Sequence, residues 1–222
     1  VDSRLFSEMR WRCIGPFRGG RTVGAAGIPD QPNVFFVGVN NGGVWKTTDA
    51  GRVWTPIFEG QPTQSIGAIA LAPSNPDVFY VGSGEGLQRP DLSVGDGIYR
   101  SNDGGKTWKH LGLRDGQQIS AVAVHPKDPN RVFAAVLGHP YGPNAERGVF
   151  RSKDAGETWE KVLYKDENTG AAAVAFDPND PEVLYADLWA GRQAPWEVGG
   201  SFNGPGSGLY KSIDGGRTWH QL

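Results

Sequence analysis

Four stretches share one spacing, and their reading decides the fold: Thr47-Thr-Asp49-Ala-Gly51-Arg-Val-Trp54, Ser101-Asn-Asp103-Gly-Gly105-Lys-Thr-Trp108, Ser152-Lys-Asp154-Ala-Gly156-Glu-Thr-Trp159 and Ser212-Ile-Asp214-Gly-Gly216-Arg-Thr-Trp219. Successive aspartates are 54, 51 and 60 residues apart. A second marker keeps the same order: Pro29-Asp-Gln-Pro32, Pro73-Ser-Asn-Pro76, Pro126-Lys-Asp-Pro129 and Pro178-Asn-Asp-Pro181. Two markers recurring four times in register define an internal repeat.

Working outward from the Asp motif, each unit divides into four strands. A small-residue strand (for example Ile66-Gly-Ala-Ile-Ala-Leu-Ala72) leads into the Pro turn, and an aromatic, β-branched strand follows (Val78-Phe-Tyr-Val81). A third strand (Ile98-Tyr-Arg100) enters the Asp motif, and a Trp-bearing fourth strand leaves it. Four-stranded units of this length predict the blades of an all-β propeller built from antiparallel sheets. Alanine and glycine suit the first strand, because innermost strands crowd the central channel. The expected blades span about 20–58, 65–113, 118–164 and 169–222. Met9-Arg-Trp11-Arg-Cys-Ile-Gly15 matches the fourth strand of a unit, so 8–16 is expected to be an outer strand without its own inner three. That mismatch predicts a larger ring of six to eight blades, or closure by a second copy of the chain.

Composition agrees and excludes several classes. The 222 residues include 33 Gly and 16 Pro, which break any long helix. Every apolar run is too short to span a bilayer as a helix, so no membrane insertion is expected. Net charge is −2 with both signs mixed, which argues against a nucleic-acid surface. Cys13 is the single cysteine, and no His or Cys spacing matches a metal site, so neither a metal nor any other cofactor is expected. His110 and His220 follow the motif tryptophan at one offset and read as repeat positions; His125 lies in a Pro turn.

The motif residues read as structural. Asp carboxylates and Ser/Thr hydroxyls bind nearby amides in tight turns, and glycine accepts the positive φ that such turns need. Asp49, Asp103, Asp154 and Asp214 are therefore expected to pin turns, with Trp54, Trp108, Trp159 and Trp219 packing between blades.

Binding chemistry is expected at the opposite edge. From the first Pro of the turn to the motif Asp the units count 20, 30, 28 and 36 residues, and every extra residue falls between strands two and three. Insertions collect on a repeat protein's binding face. These loops carry Glu85 and Arg89, then His139, Tyr141 and Arg147, then Trp189, Arg192, Trp196 and Glu197; the connections between blades add Arg18 and Arg21. Aromatic faces stack on sugars, and guanidinium and carboxylate groups bind hydroxyls or peptide, so a glycan or a protein/peptide ligand is expected. The alternative is that these loops fold on themselves.

The residues resemble the Asp-box (BNR-repeat) propellers, a superfamily that includes sialidases, xyloglucanase-type glycoside hydrolases and sortilin-type receptors. Trp11-Arg-Cys-Ile-Gly-Pro-Phe-Arg-Gly-Gly-Arg21 and Asn40-Asn-Gly-Gly-Val-Trp-Lys46 are similar to bacterial secreted members called glycosyl hydrolases or sortilin-like. The resemblance implies an extracellular or periplasmic location and a glycan- or protein-binding scaffold, with a glycoside hydrolase, or its N-terminal half, as the alternative. In the xyloglucanase-type family the catalytic base is an Asp before a Gly-Gly pair; the matching residue here is Asn40, which takes up no proton. Sialidases require an arginine cluster, for which Arg18, Arg89, Arg147 and Arg192 are the loose matches. Glu85 and Glu197 are the remaining candidate catalytic carboxylates.

Overall fold

The computed structural model describes residues 20–86, 92–191 and 204–222. The expected outer strand at 8–16 and Arg18, Arg89, Arg192, Trp196 and Glu197 lie outside them. Among the described residues the structure is all β, with sixteen strands in four antiparallel four-stranded sheets, each ordered as it runs in sequence. Blade 1 holds β1 (Thr22–Ile28), β2 (Gln31–Val39), β3 (Gly43–Thr47) and β4 (Thr55–Pro56). Blade 2 holds β5 (Ile66–Ala72), β6 (Asn75–Ser83), β7 (Ile98–Ser101) and β8 (Lys109–His110). Blade 3 holds β9 (Ile119–Val124), β10 (Val132–Val136), β11 (Gly148–Ser152) and β12 (Glu160–Leu163). Blade 4 holds β13 (Gly170–Phe176), β14 (Leu184–Trp189), β15 (Gly208–Ser212) and β16 (His220–Gln221). First strands stand side by side, β1 by β5, β5 by β9 and β9 by β13. The motif tryptophan lies just before the fourth strand rather than within it, and Pro32 and Pro76 already belong to strand two.

Small residues in the first strand are a steric requirement. A β-carbon on Gly67 would overlap the Ile119 carbonyl of the next blade and come within 2.7 Å of the Gly84 carbonyl. The core is divided among the blade interfaces. Phe36 and Val44 pack on Phe79 and Val81 between blades 1 and 2; Tyr80 and Ile98 pack on Ile119 and Val132 between blades 2 and 3. Phe133 and Val149 pack on Val174 and Leu184 between blades 3 and 4.

The Asp boxes repeat one hydrogen-bond pattern. In blade 2, Ser101 Oγ donates to Asp103 Oδ1 at 2.7 Å, and Gly105 N donates back to Ser101 Oγ at 2.9 Å. Asp103 Oδ1 accepts Lys106 N and Thr107 N, and Oδ2 accepts the Thr107 hydroxyl at 2.6 Å. The carboxylate thus faces only donors, and its pKa lies well below the usual range, chiefly through the Thr107 hydroxyl. Thr158 holds Asp154 down at about 2; Asp214 is lowered chiefly by the Thr218 amide and Asp49 by the Val53 amide. Gly105 sits at φ +91°, a conformation the box needs and a β-carbon resists.

Each box also clips onto the Pro turn of its own blade. Ala50, Gly104, Ala155 and Gly215 donate their amides to the carbonyls of Asn33, Asp77, Asn130 and Glu182, in every case the residue after the second Pro. Boxes and Pro turns therefore share one edge of the blades. The tryptophans stitch neighbours: Trp108 Nε1 donates to Ile57 O at 2.7 Å and Trp159 Nε1 to Leu111 O at 2.8 Å. Trp219 Nε1 is buried without an acceptor. Blade 3, against which Trp219 packs, differs from blades 1 and 2 there: a register shift pairs Val149 with Leu163 but Phe150 with Lys161.

Candidate functional site

The opposite edge carries the loops between second and third strands and the connections between blades. Its most buried acid is Glu85, fully enclosed two residues beyond the end of β6. Arg21 donates to Glu85 Oε2 at 2.5 Å, Asn40 Nδ2 to the same oxygen at 3.2 Å, and Asn41 Nδ2 to Oε1 at 3.3 Å. Ser93 N also reaches Oε1, at 3.3 Å, and the Glu85 amide donates to Gln118 Oε1. Three residues of blade 1 are thereby tied to a blade 2 loop around one carboxylate. Arg21 keeps 40% of its side chain exposed and offers the outer side of this cluster to solvent. Asn40 is 2% exposed, and its Oδ1 has no hydrogen-bond partner among the described residues.

From Glu85 the bonding continues sideways. Gln118 Nε2 donates to Ser93 O at 3.2 Å, and Leu137 N donates to Gln118 O at 2.9 Å. In blade 3, Asn144 Nδ2 donates to Asp115 O at 2.9 Å while its Oδ1 accepts His139 N. His139 Nε2 lies 3.0 Å from Asp115 Oδ1, a half-exposed imidazole against an exposed carboxylate. Tyr141, two residues on in the same loop, is 42% exposed. Trp189 is half-buried at the end of β14. A parallel knot holds Asp96, which accepts Arg114 and the Tyr99 hydroxyl, the latter at 2.5 Å. That bond and burial raise the Tyr99 pKa, burial being the larger cause.

Two expected ligand-facing side chains turn inward. Arg147 is 1% exposed and donates to the carbonyls of Leu137, His139 and Gly142, stapling its own loop. Glu85 is enclosed by donors rather than presented to a substrate, which suits a structural anion better than a proton-transfer group. His110 stacks edge-on against Tyr99 at 4.8 Å, as a repeat position should. No cluster of three metal-ligating side chains occurs among the described residues. No helix there is long and apolar enough to cross a membrane.

Asp96 and Asn144 lie in the inserted loops expected at this edge, whereas Gln118 does not stand out in the sequence. One signal was available for Gln118: Ser65, Gln118 and Thr169 each precede the first strand of their blade, and all three are buried polar residues.

Blades of this topology pinned by these boxes define an Asp-box β-propeller. The family described as "Sortilin, neurotensin receptor 3" matches residues 96–222, and the chain belongs to it. A xyloglucanase of a Paenibacillus species is 24% identical over 228 residues, covering 90% of this chain and 21% of its own length. An ancestral GH74 enzyme superposes with a TM-score of 0.67 at 21% identity, over 97% of this chain and 26% of that one. The GH74 enzyme of Niastella koreensis gives 0.65 at 22% identity, over 89% and 29%. The chain thus spans about a fifth of the curated relative and little more than a quarter of either structure.

Proposed function

We propose that the protein handles xyloglucan-type β-glucan outside the cell as part of a glycoside-hydrolase-type propeller, with the loop edge of blades 1 to 3 as its sugar-holding surface. The observation that carries this reading is the match to xyloglucanases across nine-tenths of the chain. The loop edge supports it chemically: Arg21, the His139–Asp115 pair and Tyr141 offer charged donors, an acceptor and an aromatic face on a layer held rigid by buried bonds. Within the described residues the chemistry favours holding over cleaving. Asn40 occupies the place of a base, and Glu85 beside it is saturated by four donors.

Titration calorimetry with a xyloglucan oligosaccharide tests this. Binding is expected to weaken about tenfold in Tyr141→Ala, the worth of one stacking contact. No heat with the oligosaccharide would refute it. The family match favours a second reading, peptide recognition on the same edge. Retention of peptides in place of glucan would select that reading.

A further inference from the structure

The residue before the first Pro of each turn is Ile28, Ala72, His125 and Asp177 in the four blades. In blades 1 and 2 this apolar residue pairs straight across to strand two, Ile28 with Gln31 and Ala72 with Asn75. Blades 3 and 4 build a wider turn, and they build it alike. His125 N donates to Arg131 O and Asp177 N to Val183 O, both at 2.9 Å. Arg131 N donates to Asp128 O and Val183 N to Asp180 O, and the carboxylates of Asp128 and Asp180 each accept the amide two residues on.

Two amides inside each wide turn need an acceptor, and the residue before the Pro supplies it. In blade 4, Asp177 Oδ1 accepts Asn179 N at 2.9 Å and Asp180 N at 3.3 Å. In blade 3 the acceptor is His125 Nδ1, which takes Lys127 N at 3.2 Å and Asp128 N at 3.1 Å. The imidazole stands in for a carboxylate. It does so only while Nδ1 keeps its lone pair and the ring proton sits on Nε2, because imidazolium has two donors and no acceptor.

The imidazole holds more than its own turn. His125 is 6% exposed, and its ring meets Phe176 of blade 4 edge-on at 5.6 Å. On the same turn, Asn130 O accepts the Ala155 amide of the blade 3 box, and Arg131 pairs with Glu182 of the blade 4 turn at 3.2 Å. A second ring proton would set one N–H against two others in a buried place, a conflict relieved only by opening the turn. The charged groups around the ring are Lys127, Asp128 and Arg131 of its own turn and Glu182 from blade 4. The two cations oppose protonation and the two anions favour it. Burial is the largest influence and, with Arg131, pushes the imidazole below its usual range.

We propose that His125 is a pH-sensitive latch. Neutral, it closes the blade 3 turn and keeps the box and blade 4 tied to it; protonated in mildly acidic surroundings, it releases the turn and loosens the contact between blades 3 and 4. Because the folded state favours the neutral ring, the stabilisation is complete above the unfolded value near pH 6.5 and declines as pH falls below it. The blade 4 turn is the fixed counterpart, since a carboxyl oxygen remains an acceptor whether or not the group is ionised.

Amide hydrogen exchange of the full chain between about pH 7.5 and 5 tests it, with protection factors corrected for the intrinsic pH dependence of exchange. Protection of the Lys127 and Asp128 amides, divided by that of Asn179 and Asp180, is expected to fall with pH by up to about tenfold per unit, the limit for uptake of one proton. In His125→Asn, whose side-chain carbonyl accepts amides without titrating, the ratio is expected to stay constant. Asp177→His is expected to confer the same fall on Asn179 and Asp180, measured against the β6 amides of blade 2. A flat ratio in wild type overturns the proposal, as does a fall that persists in His125→Asn. Should His125→Asn fail to fold, Asp177→His decides: protection of Asn179 and Asp180 that ignores pH overturns it.

Discussion

The two edges of the blades are built from opposite kinds of chemistry. At the box edge the bonds that build the boxes repeat from blade to blade: hydroxyl to carboxylate two residues away, carboxylate to the amide four residues on, box to Pro turn in all four blades. At the loop edge each blade differs, and the bonds that matter join distant residues, as Arg21 joins Glu85 across 64 positions. Repetition at one edge fixes the architecture. That leaves the other edge free to vary, and a ligand-specific surface requires such variation.

The largest effect expected is at an interior blade contact. Trp108 lies 5.0 Å from the Phe58 ring and 5.3 Å from Phe79 and bonds Ile57 O, so Trp108→Ala should cost about 3–5 kcal/mol in chemical denaturation. Trp54→Ala, whose ring is half-buried and makes no bond to another blade among the described residues, should cost about 1 kcal/mol. Equal losses would mean that the two tryptophans are equally well packed.

Acid titration probes the boxes collectively. Their aspartates are lowered in the folded state, so the stabilisation they give is complete above the unfolded value near pH 4 and is lost as pH falls through their folded values, about 2 for Asp154. Melting temperature should decline over that window, and less in Asp154→Asn than in wild type. A smaller change is expected at the other edge: His139→Ala should leave melting within about 1 °C, because the ring is partly exposed and pairs with an exposed carboxylate. Oligosaccharide affinity should nevertheless fall. A large loss of stability there would make the loop edge structural too.

The box edge was legible in the sequence because turn chemistry is local: the Ser/Thr, Asp and Gly that make each hydrogen bond lie within four residues of one another. The positions of Glu85 and Arg147 were not legible. Both are charged residues in loops, a pattern that ordinarily means exposure, and only the folding of each loop over its own carbonyls or a neighbour's amides takes them inside. The unpaired Trp219 Nε1 was equally hidden, since the motif around it is the same as in the boxes whose tryptophan is bonded. Asn40 is an intermediate case. Its place before Gly42 and Gly43 marked it as noteworthy, but its bond to Glu85 emerged only when blades 1 and 2 were brought together.

The division between edges is tested most directly by calorimetric titration of one xyloglucan oligosaccharide into Asp103→Ala and Tyr141→Ala side by side, each with its melting curve. Asp103→Ala should melt several degrees early and bind as wild type does. Tyr141→Ala should melt with wild type and bind about tenfold more weakly. Weakened binding in the box variant with normal binding in the loop variant would contradict the account.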